Sequence, residues 1–361
     1  MLNDKRLGVT SIVCINTDNT NMADNNTASG QATGPSHTPS SLMAASRRAV
    51  LRVVGVDRSK DVIKQLELPT KLVQYLTQHF GSSDFYVNRD DVTPEDIDSG
   101  VYKAVCVLDN KVYILKTLLN DDIDDPRLFT LRRWEALNQT GIQRCHARFF
   151  ERGILAYVLE HVRRFDEIVY AAKKHNRRLS EKVLWFVVYH MCMIFEMLQE
   201  GEIDVSDFKL TKIVFNAKGE VMIANEILRV MEEVDAMGNL VLDEEKPTAI
   251  YTPPEVIRGE EPTSESLVWR LGVTMYEAAA LEPAYELYDA NNVFEPLNNI
   301  MEGNQPQELP AQYSFELKEL INQCMSHDKI PRPDLNRIIE IAATKFDPSG
   351  QMDIVSLLDL A

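Results

Sequence analysis

The chain has 361 residues, 45% hydrophobic and 26% charged, which suits one two-lobed domain or two domains with a sizeable core. Its formal net charge of −17 argues against nucleic acid and anionic membrane surfaces as partners, because both repel a field of that sign. No apolar run approaches the roughly 18 residues of a membrane span, and the opening stretch lacks the sustained apolar core of a signal peptide, so a cytoplasmic, intracellular protein is expected.

In chain order, residues 15–47 are dominated by Asn, Thr, Ser, Gly and Pro, with too few apolar residues to offset chain entropy. Residues 1–47 are therefore expected as a disordered tail. A helical extension follows over 48–84. Its apolar residues Val62, Ile63 and Leu66, then Leu72, Val73, Tyr75 and Leu76, recur at helical spacing on either side of Pro69. Next, "SGVYKAVCVLDNKVYILKTL" predicts two alternating strands, Val101–Leu108 and Lys111–Leu118, joined by a hairpin at Asp109–Asn110. "ERGILAYVLEHV" predicts a third strand after a Gly-containing turn.

After Val162 the pattern turns mostly helical. "SEKVLWFVVYHMCMIFEMLQEG" reads as a long helix, apolar on most faces, with Ser180 at its start and Gly201 at its stop. "SESLVWRLGVTMYEAAAL" has the same character, so both are expected inside a helical lobe. The ending, "QMDIVSLLDLA", reads as a short amphipathic tail that packs on the body. The five cysteines, Cys14, Cys106, Cys145, Cys192 and Cys324, show no CxxC pair or metal-ligand spacing and are expected as reduced thiols.

The order of elements and a series of short motifs resemble a eukaryotic protein kinase domain from about Phe85 to Ile341. "VYKAV" followed by "VYILK" is similar to the strands ending in the lysine that grips ATP phosphates, here Lys116. "YVLEHV" resembles the hinge, with Leu159 as gatekeeper and Glu160 and His161 at the adenine edge. "VSDFKLTK" sits where the catalytic loop HRDLKPEN belongs, and "IANEI" where the metal-binding DFG belongs. "TAIYTPPEVI" resembles the segment ending in APE, and "CMSHDKIPRP" the late signature whose arginine pairs with the APE glutamate. The rhythm of "IMEGNQPQELPAQYSFELKELINQCMSHDKIPRP" is that of the NIMA-related (NEK-like) serine/threonine group. The resemblance implies an α+β, two-lobed protein-kinase-like fold, with a small antiparallel β lobe over 85–160 and a large helical lobe over 161–345. Residues 346–361 then form the C-terminal tail.

The departures from the family pattern bear on function, since phosphoryl transfer requires little of a protein beyond positioning and charge neutralisation. The three glycine positions of the phosphate loop fall on Pro94, Asp96 and Ser99, and Glu95, Asp96 and Asp98 place carboxylates where phosphates should lie. Gly100 is the one vestige. Lys116 is read either as a phosphate contact or as a solvent-facing lysine at a strand end. Its usual glutamate partner aligns with Thr130, Glu135 lying more than a turn away, so that ion pair is expected to be missing.

In the catalytic loop, Asp207 matches the general base and Lys209 the lysine that contacts the transferred group. The preceding His-Arg is Val205–Ser206. The two magnesium-holding positions are Lys212 and Asn225, followed by Glu226 and Ile227. Magnesium takes hard anionic oxygen donors, and a lysine amine and a neutral amide supply almost none. By contrast, the shape-keeping positions survive: Glu255 and Arg332, Thr248, Trp269 and Gly272, although an aspartate of the large-lobe helix has become Leu267.

A chain that keeps the fold's structural residues and loses those that handle ATP is read as a pseudokinase. Asp207 and Lys209 are then vestigial, no metal is held, and no cofactor is required. Its work would be that of a scaffold or allosteric regulator of a protein partner, with an active kinase as the candidate partner. The acidic run Asp243, Glu244 and Glu245 is read first as a solvated loop, and second as fixed charge standing in for a phosphate. The alternative is a weak or atypical ATP-dependent serine/threonine kinase, resting on Lys116, Asp207, Lys209 and Thr248, with Lys212 supplying the cation so that ATP binds without magnesium. A third reading is an adaptor that works through its two tails.

Overall fold

A computed structural model of the chain describes residues 81–119 except 82–83, 89–91, 94–99 and 108, residues 141–225 except 152, 202, 204 and 206, and residues 248–285 and 294–346. The expected N-terminal tail and helical extension, the positions Pro94, Glu95, Asp96, Asp98 and Ser99, Thr130 and Glu135, Ser206, Glu226 and Ile227, Asp243 to Glu245, and the amphipathic C-terminal tail lie outside the described residues. The chain divides into two compact units. One gathers residues up to Leu131 with Arg144–His161 and Ile227–Met231; the other holds Arg132–Gln143, Val162–Glu226 and Glu232–Ala361.

The first unit is a five-stranded antiparallel sheet with the order β1-β2-β3-β5-β4. Its strands are β1 (Phe85–Tyr86), β2 (Val101–Cys106), β3 (Val112–Leu119), β4 (Cys145–Glu151) and β5 (Ile154–Glu160). The β2–β3 hairpin turns where the Asp-Asn signal placed it. Asn110 takes the left-handed conformation at φ 61°, which asparagine tolerates better than most side chains. Asp109 stabilises the turn by accepting from the Lys111 amide at 3.1 Å and the Tyr113 hydroxyl at 2.8 Å. One face of the sheet carries the apolar cluster: Tyr102, Ala104 and Cys106 of β2, Tyr113 and Leu115 of β3, and Ile154, Ala156 and Val158 of β5. Phe85 stacks on Phe149 and meets Tyr113 edge-on, each at 6.1 Å between centroids.

Strand β4 has no counterpart in the expected elements. It is an edge strand in which Phe149 is buried while its neighbours are part-exposed or exposed, so "CHARFFE" carries no clear alternation.

The second unit contains a small antiparallel sheet, β6-β7-β8 (Arg163–Arg164, Ile213–Phe215, Val221–Ile223). Seven helices are described with it: α1 (Phe165–Lys174), α2 (Glu181–Glu200), α3 (Pro254–Ile257), α4 (Ser264–Ala280), α5 (Phe294–Met301), α6 (Phe315–Cys324) and α7 (Leu335–Ala343). Helices α2 and α4 sit in its core, as their all-round apolarity predicts. Helix α2 corrects one expectation. By length and composition it is apolar enough to cross a membrane, with a mean hydropathy of 1.3 over its best window. It reads as the core helix of this unit instead, because 61% of that window is buried inside the protein.

At the start of α2 the Ser180 hydroxyl makes no capping bond. The side chain that works there is Glu181. Its carboxylate accepts from the Trp185 indole at 2.9 Å, the Ser314 amide at 2.7 Å and the Ser314 hydroxyl at 2.5 Å, tying α2 to the start of α6. Gly272 of α4 marks a close helix approach: a methyl group there would come within 2.7 Å of the Cys324 Cβ and 2.8 Å of Met325. Any larger residue would force α4 and α6 apart.

Candidate functional site

In the first unit, Lys116 lies in the central strand β3, paired with Val101 of β2 and Tyr157 of β5. Side chains alternate across a strand, so Lys116 is on the face opposite the apolar cluster, with Tyr157 and Leu159 of β5. Lys116 is completely buried, as is Leu159. This removes the reading of Lys116 as a solvent-facing lysine, since a buried ammonium is retained only where its charge is compensated. Glu160 ends β5 with its amide donating to the Arg144 carbonyl at 2.8 Å, and His161 follows directly, half-buried. Gly100, which precedes β2, has φ 66°, and a Cβ there would meet the Thr117 carbonyl at 2.7 Å. It is a packing glycine as much as a remnant of a phosphate loop.

In the second unit, the catalytic-loop positions are built on a tight 3-10 turn over Leu210–Lys212, which begins at the extended residue Lys209. Phe208 anchors the loop by packing edge-on against Phe195 of α2 at 4.7 Å. Two bonds hold the turn: the Lys212 amide to the Lys209 carbonyl at 3.0 Å, and the Ala224 amide to the Lys212 carbonyl at 2.8 Å. This arrangement brings the side chains of Asp207 and Lys212 together. The Lys212 ammonium lies 3.4 Å from an Asp207 carboxylate oxygen, with Lys212 10% and Asp207 26% exposed. Lys209 is buried beside them in sequence.

The sequence shows that Lys212 replaces a metal ligand. It does not show that Lys212 reaches Asp207, the position that the resemblance matches to the general base.

The other metal position is equally committed. Asn225, at the end of β8, is 3% exposed, and its partner Gln143 is fully buried. The Asn225 amide N–H donates to the Gln143 side-chain oxygen at 3.1 Å, and the Asn225 carboxamide nitrogen donates to the Gln143 backbone carbonyl at 3.2 Å. The Gln143 amide in turn donates to the Ile223 carbonyl at 2.9 Å, and the Ile223 amide to the Gly141 carbonyl at 2.8 Å, extending β8 by one short parallel bridge at Ile142. Gln143 is a residue that reading the sequence missed. Nothing in "TGIQRC" distinguishes it from a loop glutamine.

Magnesium needs several oxygen donors in near-octahedral array at about 2.0–2.1 Å. Here one position presents an ammonium and the other an amide nitrogen turned into a structural bond. These residues do not fit the ion.

The shape-keeping pair is complete. Arg332 donates to both oxygens of Glu255, at 2.7 and 2.9 Å, and both side chains are buried. The Ser266 hydroxyl adds a third bond to Glu255 at 2.8 Å. The three remaining guanidinium hydrogens go to the carbonyls of Ser326 at 2.9 Å, Glu265 at 3.0 Å and His327 at 3.4 Å, and the group lies 5.0 Å from the centre of the Trp269 ring. Burial pushes the Glu255 carboxyl up, but the bonds from Arg332 and Ser266 outweigh it and hold it below its ordinary 4.5. Thr248 opens a 3-10 turn that ends at Tyr251. The Tyr251 hydroxyl donates to the buried Glu277 of α4, and burial raises that phenol well above its usual range. Leu267, at the former aspartate position of α4, is buried among apolar neighbours.

The family model for the protein kinase domain matches residues 98–342. The chain therefore belongs to the protein kinase domain family. A second model, the SOCS box, matches residues 38–77, outside the described part. Among curated relatives, mouse serine/threonine-protein kinase Nek1 is 25% identical over 248 residues, covering 66% of this chain and 20% of the relative. Mouse Nek4 is 32% identical over 162 residues, covering 44% of this chain and 19% of the relative. Mitogen-activated protein kinase kinase 2 of Arabidopsis thaliana is 23% identical over 296 residues, covering 80% and 74%. The chain spans about a fifth of the length of the two Nek relatives. The domain is NEK-like, as the rhythm of its late motifs implied.

Proposed function

We propose that this member of the protein kinase family works as a pseudokinase, a catalytically inactive scaffold or allosteric regulator of a partner protein, with an active protein kinase as the candidate partner. The observation that carries the proposal is the double commitment of the metal positions. Lys212 is paired with Asp207 at 3.4 Å, and Asn225 is bonded into Gln143 on two sides. Without a divalent ion the charge developing on the β- and γ-phosphate oxygens lacks its main neutraliser. Such a loss costs on the order of several kcal/mol of barrier, or thousands-fold in rate. The retained Glu255–Arg332 anchor and the closely packed α4–α6 contact support a surface kept for binding.

The test is phosphate transfer to generic protein substrates with magnesium or manganese. We expect no turnover above background. Turnover that Asp207→Asn abolishes would overturn the reading.

A weak or atypical serine/threonine kinase is the second reading, favoured by the complete burial of Lys116 and by Lys209. In it, the Lys212 ammonium takes over part of the metal's charge, and ATP binds without magnesium. An ATP titration of the melting temperature in EDTA tests this reading. A ligand that binds only the folded state must raise that temperature, so the absence of any rise sinks it.

A further inference from the structure

We infer that the C-terminal segment of this chain, residues 350–361, docks on the outer stripe of helix α2 formed by Tyr189, Met193 and Met197. The described chain ends at that stripe. Phe346, the last described residue, meets Tyr189 edge-on at 5.4 Å and Phe186 edge-on at 5.6 Å, with His190 tilted at 6.3 Å. Lys345 holds the same point, its ammonium 5.8 Å from the Trp185 ring and 3.9 Å from Glu316. The chain therefore leaves α7 against the first half of α2.

One helical turn further along that face is Met193, 44% exposed, a large apolar side chain on the outer face of a helix whose other side is in the core. Met197 continues the stripe a turn beyond, partly buried against the core. Residues three and four apart on a helix are neighbours, so Tyr189, Met193 and Met197 form one row with Phe346 seated at its head.

The sequence beyond Phe346 suits that row. Asp347, Pro348, Ser349 and Gly350 form a polar link, and Ile354, Val355, Leu357 and Leu358 follow. Ile354, Leu357 and Leu358 fall at the i, i+3, i+4 spacing of one helical face, with Ser356 between them and Asp353 and Asp359 flanking them. Reach is not limiting. Tyr189 and Met193 are about 6 Å apart along the axis, while the residues from Asp347 to Asp353 extend to about 23 Å. A flexible thioether is well suited to receive such a face, since methionine adapts its shape to the side chain laid on it. The occupant is thus this chain's own tail.

The experiment uses the full chain and peroxide oxidation of Met193, followed by peptide mass mapping. In Leu357→Asp/Leu358→Asp, we expect Met193 to oxidise several-fold faster than in the wild type, while buried Met191 is unchanged. Met193→Asp should lower the melting temperature, and the tail substitutions should add nothing to that loss, as coupled groups behave in a double-mutant cycle. Equal oxidation of Met193 in wild type and tail variant would overturn the inference. So would protection that grows with protein concentration alongside dimerisation in sedimentation, because the occupant would then be a second copy.

Discussion

The second unit contains two ion pairs of opposite character. Glu255 and Arg332 meet through two short bonds, are fully buried, and have further partners in Ser266, Ser326 and Glu265. Asp207 and Lys212 approach to 3.4 Å, and the Asp207 side chain remains partly open to solvent. The first pair holds the start of α3 and α4 to the segment before α7, and its loss would leave a charge buried without a partner. The second lies at a position that the family resemblance assigns to a metal ligand, so its loss would remove a local charge contact and leave the framework in place. The comparison teaches that the framework pair is held by several buried bonds of its own, whereas the pair at the candidate site rests on a longer contact with a carboxylate that solvent reaches.

The largest effect that sharpens this contrast should come from Arg332→Ala. Removing one partner of a buried pair costs about 3–5 kcal/mol, measurable as a lower midpoint in denaturant. Lys212→Ala removes a buried cation whose 3.4 Å partner Asp207 is a quarter exposed, so the carboxylate left behind can be solvated and the cost should be smaller than for Arg332→Ala. Equal costs for the two would break the comparison. Next in size, Gly272→Ala forces a methyl group against Cys324, and overpacking of this kind costs about 1–3 kcal/mol. Thermal unfolding checks it.

Asn225→Asp, the change that restores a family metal ligand, should destabilise the protein. It turns a donor facing the Gln143 carbonyl into an acceptor, at a cost of about 1–3 kcal/mol. The penalty should shrink on acidification, as the introduced carboxyl takes up a proton. A neutral or stabilising effect would show that Asn225 is not engaged by Gln143.

The smallest effect is on pH dependence. Glu255 and Glu181 are held below 4.5 because their hydrogen bonds, from Arg332 and from Ser314 respectively, outweigh burial, which raises them; Glu265 is held down chiefly by its bond from Thr263. In each case the unfolded chain binds the proton more readily. Their contribution is therefore present above about pH 4.5 and is lost as pH falls through their folded values. Arg332→Ala should flatten the acid limb of the stability curve, because Glu255 loses its strongest bond.

Much of this was legible in the sequence. The alternation around Asp109–Asn110 gives the hairpin, the all-round apolarity of α2 and α4 places them in the core, and the spacing of Glu255 and Arg332 follows the family pattern. What the sequence hid are pairings between residues distant along the chain or unremarkable in type. Gln143 is one of several glutamines, and only the short parallel bridge to β8 brings it to Asn225. Strand β4 escaped because an edge strand that buries little beyond Phe149 need not alternate. Lys212 was visible as a lost ligand, but its contact with Asp207 depends on the 3-10 turn between them.

The central claim is that the metal positions cannot seat a divalent ion. It is tested most directly by comparing the ATP-induced shift in melting temperature in magnesium with that in EDTA. The account predicts the same shift in both, whether zero or positive. A shift that appears or grows by several degrees only with magnesium, and that Asn225→Ala removes, would contradict it.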